Sequence, residues 1–258
     1  MKAIFAFSTV KTYYKPINDN FIRLAKLSVK SAKKYYKTKI YCDEESLDFF
    51  TKNGILFDEV VIIKDFIYEY QNHYSISKIY AMMNEKDPYI ILDFDTVLLE
   101  KIDTTHTITY GHKEYDLTKF YVNLNGMLWV RDYYLTPFNN HVKEHYDKND
   151  IDKFNWNIYP SFCLVMVNKP TFLELIYRDI FSKVPKIDIE SIPPPLLEQF
   201  LPHQYLIKHN VDFGFLTENN YFCDSEFNNL ELISKKYVHL SILNKNINEE
   251  LNFLETII

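Results

Sequence analysis

The stretch YIILDFDTVLL, residues 89–99, is an apolar run of strand length that carries two carboxylates, Asp93 and Asp95. An ionised carboxylate in an apolar setting is strongly destabilising unless a cation or strong hydrogen-bond donors lie beside it. We therefore expect both aspartates to have such a partner, and we expect the fold around them to bring it there.

Strand and helix patterns alternate in the residues before this stretch. Short apolar runs begin at residues 2, 39 and 59, and amphipathic helical patterns separate them, the first with Asn18 or Asp19 as its N-cap. A helix over 75–86 then leads into the fourth strand, which ends at the aspartates. Strands separated by helices predict parallel pairing with right-handed crossovers, hence a doubly wound sheet. Ligands bind such sheets at the carboxyl ends of the strands, where Asp93 and Asp95 lie.

The pattern after residue 100 is less regular. It predicts strands over 120–130, 162–168 and 237–243, and helices over 170–181 and 247–258. A proline-rich loop before residue 196 runs into a further short helix. No internal repeat and no linker rich in Gly or Ser divides the chain, so 1–258 is predicted to be a single domain.

The composition is that of a globular protein with a sizeable core. Hydrophobic residues make up 47% of the 258 residues and the formal net charge is -6, which argues against nucleic acid as a partner. No apolar stretch reaches the roughly 18 residues needed to span a bilayer, so no transmembrane anchor is expected. The three cysteines, Cys42, Cys163 and Cys223, are odd in number and far apart, so neither disulfides nor a zinc site is expected. These features favour a reducing, cytoplasmic location, in a bacterium or a virus-infected cell.

The Asp-x-Asp spacing suits a hard divalent cation. In an extended strand Asp93 and Asp95 point to the same side, with alpha carbons about 6.5 to 7 Å apart, and a small bend would let both carboxylates face one ion. Oxygen ligands of this kind select Mg²⁺ or Mn²⁺, and the coordination positions left open suit a diphosphate. Short acidic spacings are also common in solvated loops and helix caps, so the motif alone leaves that alternative open.

The same stretch resembles the opening motif of the haloacid-dehalogenase-like phosphatases, in which apolar residues precede a nucleophilic Asp, here Asp93, and a general-acid Asp, here Asp95. That family carries the motif on the first strand of its core domain and usually has Gly-Thr after the second Asp. Here the motif follows three predicted strands, and Thr96 stands where Gly is expected. A phosphatase is therefore kept as the alternative hypothesis.

Four features of the chain match a second class of enzyme. They are FAFST at residues 5–9 with two tyrosines close behind, Lys78 in SKIYAM, LDFDTVLL at residues 92–99, and HLSILNK at residues 239–245. In kind and order they resemble the nucleotide-sugar glycosyltransferases of the GT-A fold, in particular the retaining glycogenin-like and bacterial lipooligosaccharide galactosyltransferase group. The resemblance implies an α/β fold: a single GT-A (Rossmann-like) domain with a mostly parallel central sheet flanked by helices. Residues 1–100 would then form the nucleotide-binding half, and 101–258 the acceptor-binding half with a C-terminal metal and phosphate loop.

The resemblance implies a binding site for the nucleotide donor in the first half. The first strand and the loop after it would hold the base and ribose through Phe7, Ser8, Thr9 and Tyr14. Phe94, in the centre of the Asp-x-Asp motif, would also contact the donor.

The resemblance also implies the metal and phosphate ligands. Asp93 would contact the donor ribose and the metal, Asp95 would chelate the metal, and His239 would complete the protein ligands. Lys78 and Lys245 would face the diphosphate, where an ammonium group stabilises the charge that develops on the leaving nucleotide. The residues alone are also compatible with His239 as a packed strand residue and Lys245 as a solvated lysine.

Several residues are candidates for contact with the donor sugar, and each has an alternative assignment. By the resemblance, Asn125 matches the amide that contacts the donor sugar, with Asn123 as the alternative, and Glu198 with Gln199 corresponds to the Asp-Gln pair that flanks the reacting sugar. A Glu in the first turn of a helix also complements the helix dipole, so a purely structural role for Glu198 stays open. Trp156 is either a sugar platform or a core residue.

These assignments predict a metal-dependent glycosyltransferase. It would move a sugar from a nucleotide diphosphate, UDP by the resemblance, to a hydroxyl acceptor on a glycan, a protein or a lipid, with retention of configuration. The expected cofactor is Mn²⁺ or Mg²⁺. A non-catalytic interaction protein that retains the fold is the third hypothesis, and the intact pair Asp93 and Asp95 argues against it.

Overall fold

The chain forms an α/β fold around a mostly parallel central sheet. The structure, a computed structural model, describes residues 1–8, 17–70, 75–114, 159–183, 196–217, 236–240 and 247–258. Among the helices within these ranges, none combines the length and the apolar character needed to cross a lipid bilayer.

The first part of the chain alternates strands and helices, as the sequence predicts. Asn18 caps the first helix, since its side-chain oxygen accepts a hydrogen bond from the Phe21 amide at 2.9 Å. Gly54 follows the second helix with a φ of 71°, a left-handed conformation that glycine adopts at low cost. The elements are β1 (Lys2–Ala6), α1 (Asp19–Lys33), β2 (Lys37–Cys42), α2 (Glu44–Lys52), β3 (Glu59–Ile62), α3 (Lys64–Glu69), α4 (Ile76–Asn84) and β4 (Tyr89–Leu92).

In the second part, the described residues form short strands and three further α-helices. A π-helical segment, Leu196–Phe200, leads directly into one of these helices. The elements are β5 (Thr96–Leu98), β6 (Ile108–Tyr110), β7 (Lys113–Glu114), β8 (Tyr159–Pro160), β9 (Leu164–Val167), α5 (Thr171–Lys183), α6 (Leu201–Lys208), β10 (Phe213–Phe215), β11 (Tyr237–His239) and α7 (Asn248–Ile257).

Seven strands form the central sheet in the order β10-β6-β9-β4-β1-β2-β3. The predicted parallel arrangement of the first four strands is confirmed, because β4, β1, β2 and β3 pair in parallel in that spatial order. Only β9 runs antiparallel, between β4 and β6. Outside this sheet β11 pairs antiparallel with β5, and β7 pairs antiparallel with β8.

Two hydrophobic clusters line the central sheet. Neighbouring residues of β1 divide between them, since Ile4 belongs to one cluster while Ala3 and Phe5 belong to the other, as expected where successive side chains point to opposite faces. The first cluster includes residues of α4, α5 and α6, and the second includes residues of α1, α2 and α7. Helices therefore flank both faces, which leaves the carboxyl ends of the parallel strands as the place where polar groups converge.

Candidate active site

A tight turn follows β4 and carries the two aspartates. The Thr96 amide donates to the Asp93 carbonyl at 3.0 Å, and this bond closes the bend between β4 and β5. Two neighbouring segments hold this bend in place. The Asp93 amide donates to the Cys163 carbonyl at 2.8 Å, and the Ser28 hydroxyl of α1 donates to the Thr96 carbonyl at 2.5 Å. The aspartates are thus fixed by the backbone, and the bend expected from the sequence is present.

Lys78 lies between two carboxylates that are distant in sequence. Its Nζ is 2.5 Å from Asp93 Oδ1 and 2.6 Å from Glu198 Oε1, and it also donates to the Phe162 carbonyl at 3.2 Å. An ammonium group has three N–H donors, so these contacts use them all. The side chain of Glu198 is only 4% exposed and that of Asp93 is 29% exposed, so Asp93 is the member of this cluster that faces the solvent.

The charge on Lys78 is maintained by its partners. Burial alone would lower the pKa of Lys78, but the negative charges and hydrogen bonds of Asp93 and Glu198 outweigh it and raise the pKa above its ordinary value. Burial raises the pKa of Glu198, an effect that Lys78 counters and the charge of Asp93 reinforces. Lys78 is therefore a fixed cation, and Glu198 is the acid within this group that burial shifts toward its protonated form.

His239 lies close to Asp95 because strand β11 pairs with β5. Strand β11 pairs His239 with Thr96, and the Leu240 amide donates to the Asp95 carbonyl at 2.9 Å. As a result His239 Nε2 lies 3.4 Å from Asp95 Oδ1, and the two side chains are 15% and 2% exposed. The pairing of β11 with β5 thus brings together an imidazole and a carboxylate that the sequence keeps far apart.

These groups fit a divalent cation. Two neighbouring ligands that each lie about 2.1 Å from an octahedral ion are about 3 Å apart, close to the 3.4 Å between Asp95 Oδ1 and His239 Nε2. Within the described ranges, the carboxyl groups of Asp93, Asp95 and Glu198 also outnumber the ammonium group of Lys78 in this cluster. The resulting excess of negative charge favours a cation, and the oxygen-rich donor set suits Mg²⁺ or Mn²⁺.

Three side chains predicted to contact the donor have partners within the protein. The ring of Phe94 is 5% exposed and is stacked on Phe50 with ring centroids 4.7 Å apart, so it belongs to the core. The Phe7 ring is partly buried and contacts Phe50 and Phe94 in the same cluster. The Ser8 hydroxyl donates to Asp43 at 3.1 Å, and Asp43 also caps α2. At Phe94 only the backbone is then left for a ligand.

Gln199 follows Glu198 in the π-helical segment. Its Oε1 atom is buried and, within the described ranges, has no hydrogen-bond partner. A buried carbonyl oxygen without a donor is costly, and a bound hydroxyl group would relieve that cost. Gln199 therefore stays a candidate for contact with a ligand.

The remaining predicted site residues lie outside the described part of the chain. They are Thr9, Tyr14, Asn125 with its alternative Asn123, Trp156 and Lys245. Their assignments stay predictions.

A second group of metal-ligating side chains adjoins His239, and sequence spacing gave no indication of it. One ligand atom each from His112, Cys163 and His239 lie within 4.8 Å of one another. His112 faces Cys163 because the antiparallel register of β6 and β9 continues past Tyr110, with the Gly111 amide donating to the Leu164 carbonyl at 2.8 Å. Burial, aided by the charge of His239, lowers the pKa of His112 to about 3, so this imidazole is neutral at physiological pH.

No model of a protein family matches this sequence, and no curated protein matches it. The function is therefore inferred from the arrangement of the side chains around the turn between β4 and β5.

Proposed function

We propose that this protein is a metal-dependent glycosyltransferase that transfers a sugar from a nucleotide diphosphate donor to a hydroxyl acceptor. The observation that carries the proposal is the approach of His239 to Asp95, at 3.4 Å, beside the cluster of Lys78, Asp93 and Glu198. The resemblance seen in the sequence predicts a site role for each of these residues. Their convergence at the carboxyl end of β4 supports a site for a cation and a diphosphate.

Asp93, Asp95 and His239 would hold the divalent cation. When bound, such a cation supplies Lewis-acid stabilisation of a leaving diphosphate. Asp95 and His239 are well placed to keep their geometry, because the β5–β11 pairing and the Leu240-to-Asp95 hydrogen bond fix both backbones. Asp93 is the more exposed carboxylate and would meet the donor first.

Lys78 supplies a permanent positive charge beside Asp93. Its three hydrogen bonds fix the ammonium group before a substrate arrives, so little reorganisation is needed when phosphate charge develops nearby. Glu198 is the main anchor for that orientation, and the Tyr177 hydroxyl in turn donates to the Glu198 carbonyl at 2.7 Å. The oxygen of Gln199 would accept a hydrogen bond from a sugar hydroxyl. UDP as the nucleotide and retention of configuration rest on the resemblance.

The test is nucleotide release from a panel of nucleotide sugars, with and without Mn²⁺. We expect release that depends on Mn²⁺ and falls at least about 100-fold in Asp95→Asn, the scale of losing one electrostatic contact at a reacting centre. Asp87→Asn is the matched control, because Asp87 is exposed and precedes the same strand at its opposite end.

Two results would overturn the proposal. One is that no donor in the panel binds, with or without metal. The other is that Asp95→Asn behaves like Asp87→Asn. Release of inorganic phosphate from simple phosphoesters, abolished by Asp93→Asn, would instead establish the phosphatase alternative.

A further inference from the structure

The pair His112 and Cys163 lies next to the proposed active site but has no part in it. Their side chains belong to the buried interior, with His112 and Cys163 each 2% exposed. His112 Nδ1 is 2.8 Å from the Tyr237 hydroxyl and 4.0 Å from Cys163 Sγ. His112 Nε2 is buried and has no hydrogen-bond partner among the residues that the structure describes. The ring that carries this unsatisfied buried nitrogen lies near a thiol and a second imidazole, and such a group requires an explanation.

The donor set is that of a softer metal than Mn²⁺. Two imidazole nitrogens and one thiolate form a ligand set that suits Zn²⁺, which binds sulfur at about 2.3 Å and nitrogen at about 2.0 to 2.1 Å. In a tetrahedral site these lengths separate the ligand atoms by about 3.3 to 3.6 Å. The atoms of His112, Cys163 and His239 lie within 4.8 Å of one another, so movements of about 1 Å would close the site. His239, the most exposed of the three, is the side chain with room to move.

Outer contacts already orient two of these ligands. The Tyr237 hydroxyl accepts the Nδ1 proton of His112 in the tautomer that leaves the Nε2 lone pair available, the arrangement common to metal-binding histidines. A glycine makes that contact possible, because a Cβ on Gly111 would lie 2.6 Å from the Tyr237 hydroxyl oxygen. The backbone of Cys163 is held by the Asp93 amide and the Thr96 hydroxyl, which donate to its carbonyl at 2.8 and 3.1 Å.

We propose that His112, Cys163 and His239 form a Zn²⁺ site, and that its occupation excludes the divalent cation from Asp93 and Asp95. His239 is common to both ligand sets, and two dications on either side of one imidazole repel each other strongly. Zn²⁺ binds nitrogen and sulfur ligands more tightly than Mn²⁺ does, so it would take His239. Zn²⁺ is then an inhibitor that acts by removing a ligand of the active-site cation. The Zn²⁺ site stands on its own geometry, whereas the inhibition rests on the proposed function.

The binding test uses Co²⁺ and Zn²⁺ alone. Co²⁺ bound to a thiolate gives a charge-transfer absorption in the near ultraviolet, and a chromophoric chelator reports Zn²⁺ affinity by competition. We expect the absorption in the wild type, its loss in Cys163→Ser, and Zn²⁺ affinity at least about 100-fold weaker in that variant, the upper end of what even an outer contact costs. Cys42→Ser is the matched control, since Cys42 is also buried and burial raises the pKa of its thiol to about 12.

The Co²⁺ absorption of the wild type and of Cys163→Ser decides whether the Zn²⁺ site exists. Absence of the absorption in the wild type, or its persistence in Cys163→Ser, would overturn the site. If Cys163→Ser does not fold, as judged by circular dichroism, His112→Gln takes its place with the same expectation. Neither variant alters a side chain assigned to the cation or the donor.

Exclusion is tested in a second arm. Bound Mn²⁺ is followed by electron paramagnetic resonance during a Zn²⁺ titration, and we expect at least tenfold less Zn²⁺ to release Mn²⁺ from the wild type than from Cys163→Ser. Equal Zn²⁺ requirements in the two proteins would overturn the exclusion. Because this readout needs no turnover, a chain that transfers no sugar would refute the proposed function while leaving the Zn²⁺ site to be judged by its own result. If transfer is observed, its inhibition by Zn²⁺ should be weakened by the same factor in Cys163→Ser.

Discussion

Replacing Lys78 with methionine tests the electrostatic account of the site. Lys78→Met keeps most of the length of the side chain but removes the cation that lies between Asp93 and Glu198. Glu198, at 4% exposure, would then be a buried carboxylate whose remaining side-chain hydrogen bond from Ser75 cannot neutralise it. Removing one partner of a buried ion pair costs about 3 to 5 kcal/mol, a large share of the 5 to 15 kcal/mol of stability of a typical domain. We expect that loss in urea unfolding near neutral pH.

The loss should also depend on pH. Burial already raises the pKa of Glu198, and removal of Lys78 takes away the interaction that opposes this rise. A carboxyl group whose pKa is raised by folding stabilises the fold below its ordinary pKa, and that stabilisation is lost as the pH rises through the folded-state value. The destabilisation of Lys78→Met should therefore be smaller at about pH 5 than at about pH 8.

Two further variants make this prediction specific. Lys78→Met combined with Glu198→Gln should recover most of the lost stability, because no uncompensated buried charge remains. Lys52→Met, which removes an exposed pair with Asp48, should cost at most about 0.5 kcal/mol. The reasoning is refuted if Lys78→Met unfolds like Lys52→Met, or if the second substitution gives no recovery.

The packing around the turn leads to two more predictions, both measured by chemical denaturation. Phe94→Ala should destabilise the fold by about 3 to 5 kcal/mol, because the ring is 5% exposed and stacked on Phe50; a loss below about 1 kcal/mol would mean that the ring is not a core residue. Gly111→Ala should cost about 1 to 3 kcal/mol, because the new Cβ would lie 2.6 Å from the Tyr237 hydroxyl oxygen and displace it from His112, and a neutral result would contradict this close approach.

The parallel half of the fold was predictable because its signals are local. Apolar strands alternate with amphipathic helices, Asn18 provides a cap and Gly54 provides a stop, and each of these features is present in the structure. The direction of β9 was not predictable, since a buried apolar strand has the same composition whether it runs parallel or antiparallel. The pairing of β5 with β11 is equally hidden, because it joins segments from distant parts of the chain.

In the candidate site, too, some residues could be predicted from the sequence and others could not. Asp93 and Asp95 could be found from the sequence because carboxylates are conspicuous in an apolar run. The position of Glu198 in the sequence is explained equally well by a residue that complements a helix dipole. Its 2.6 Å contact with Lys78 is the observation that places it in the candidate site. Phe94 was expected to face a ligand, but its ring lies in the core, where the aromatic side chains of neighbouring elements surround it.

No pattern in the sequence indicates that His112 and Cys163 lie close together. The two residues meet because the β6–β9 register continues beyond the sheet, and a pairing of this kind is a tertiary property. Because the three cysteines are far apart in the sequence, their spacing does not indicate that Cys163 lies beside His112.

We propose that Asp93, Asp95 and His239 hold the cation that binds the diphosphate of a nucleotide sugar. Anomalous diffraction at the manganese absorption edge, from crystals soaked with Mn²⁺ and UDP, tests it most directly. We expect a peak within about 2.5 Å of both Asp95 Oδ1 and His239 Nε2, with density for the diphosphate next to it. A structure with bound UDP and no anomalous peak at these atoms, or with the peak elsewhere, would contradict the account.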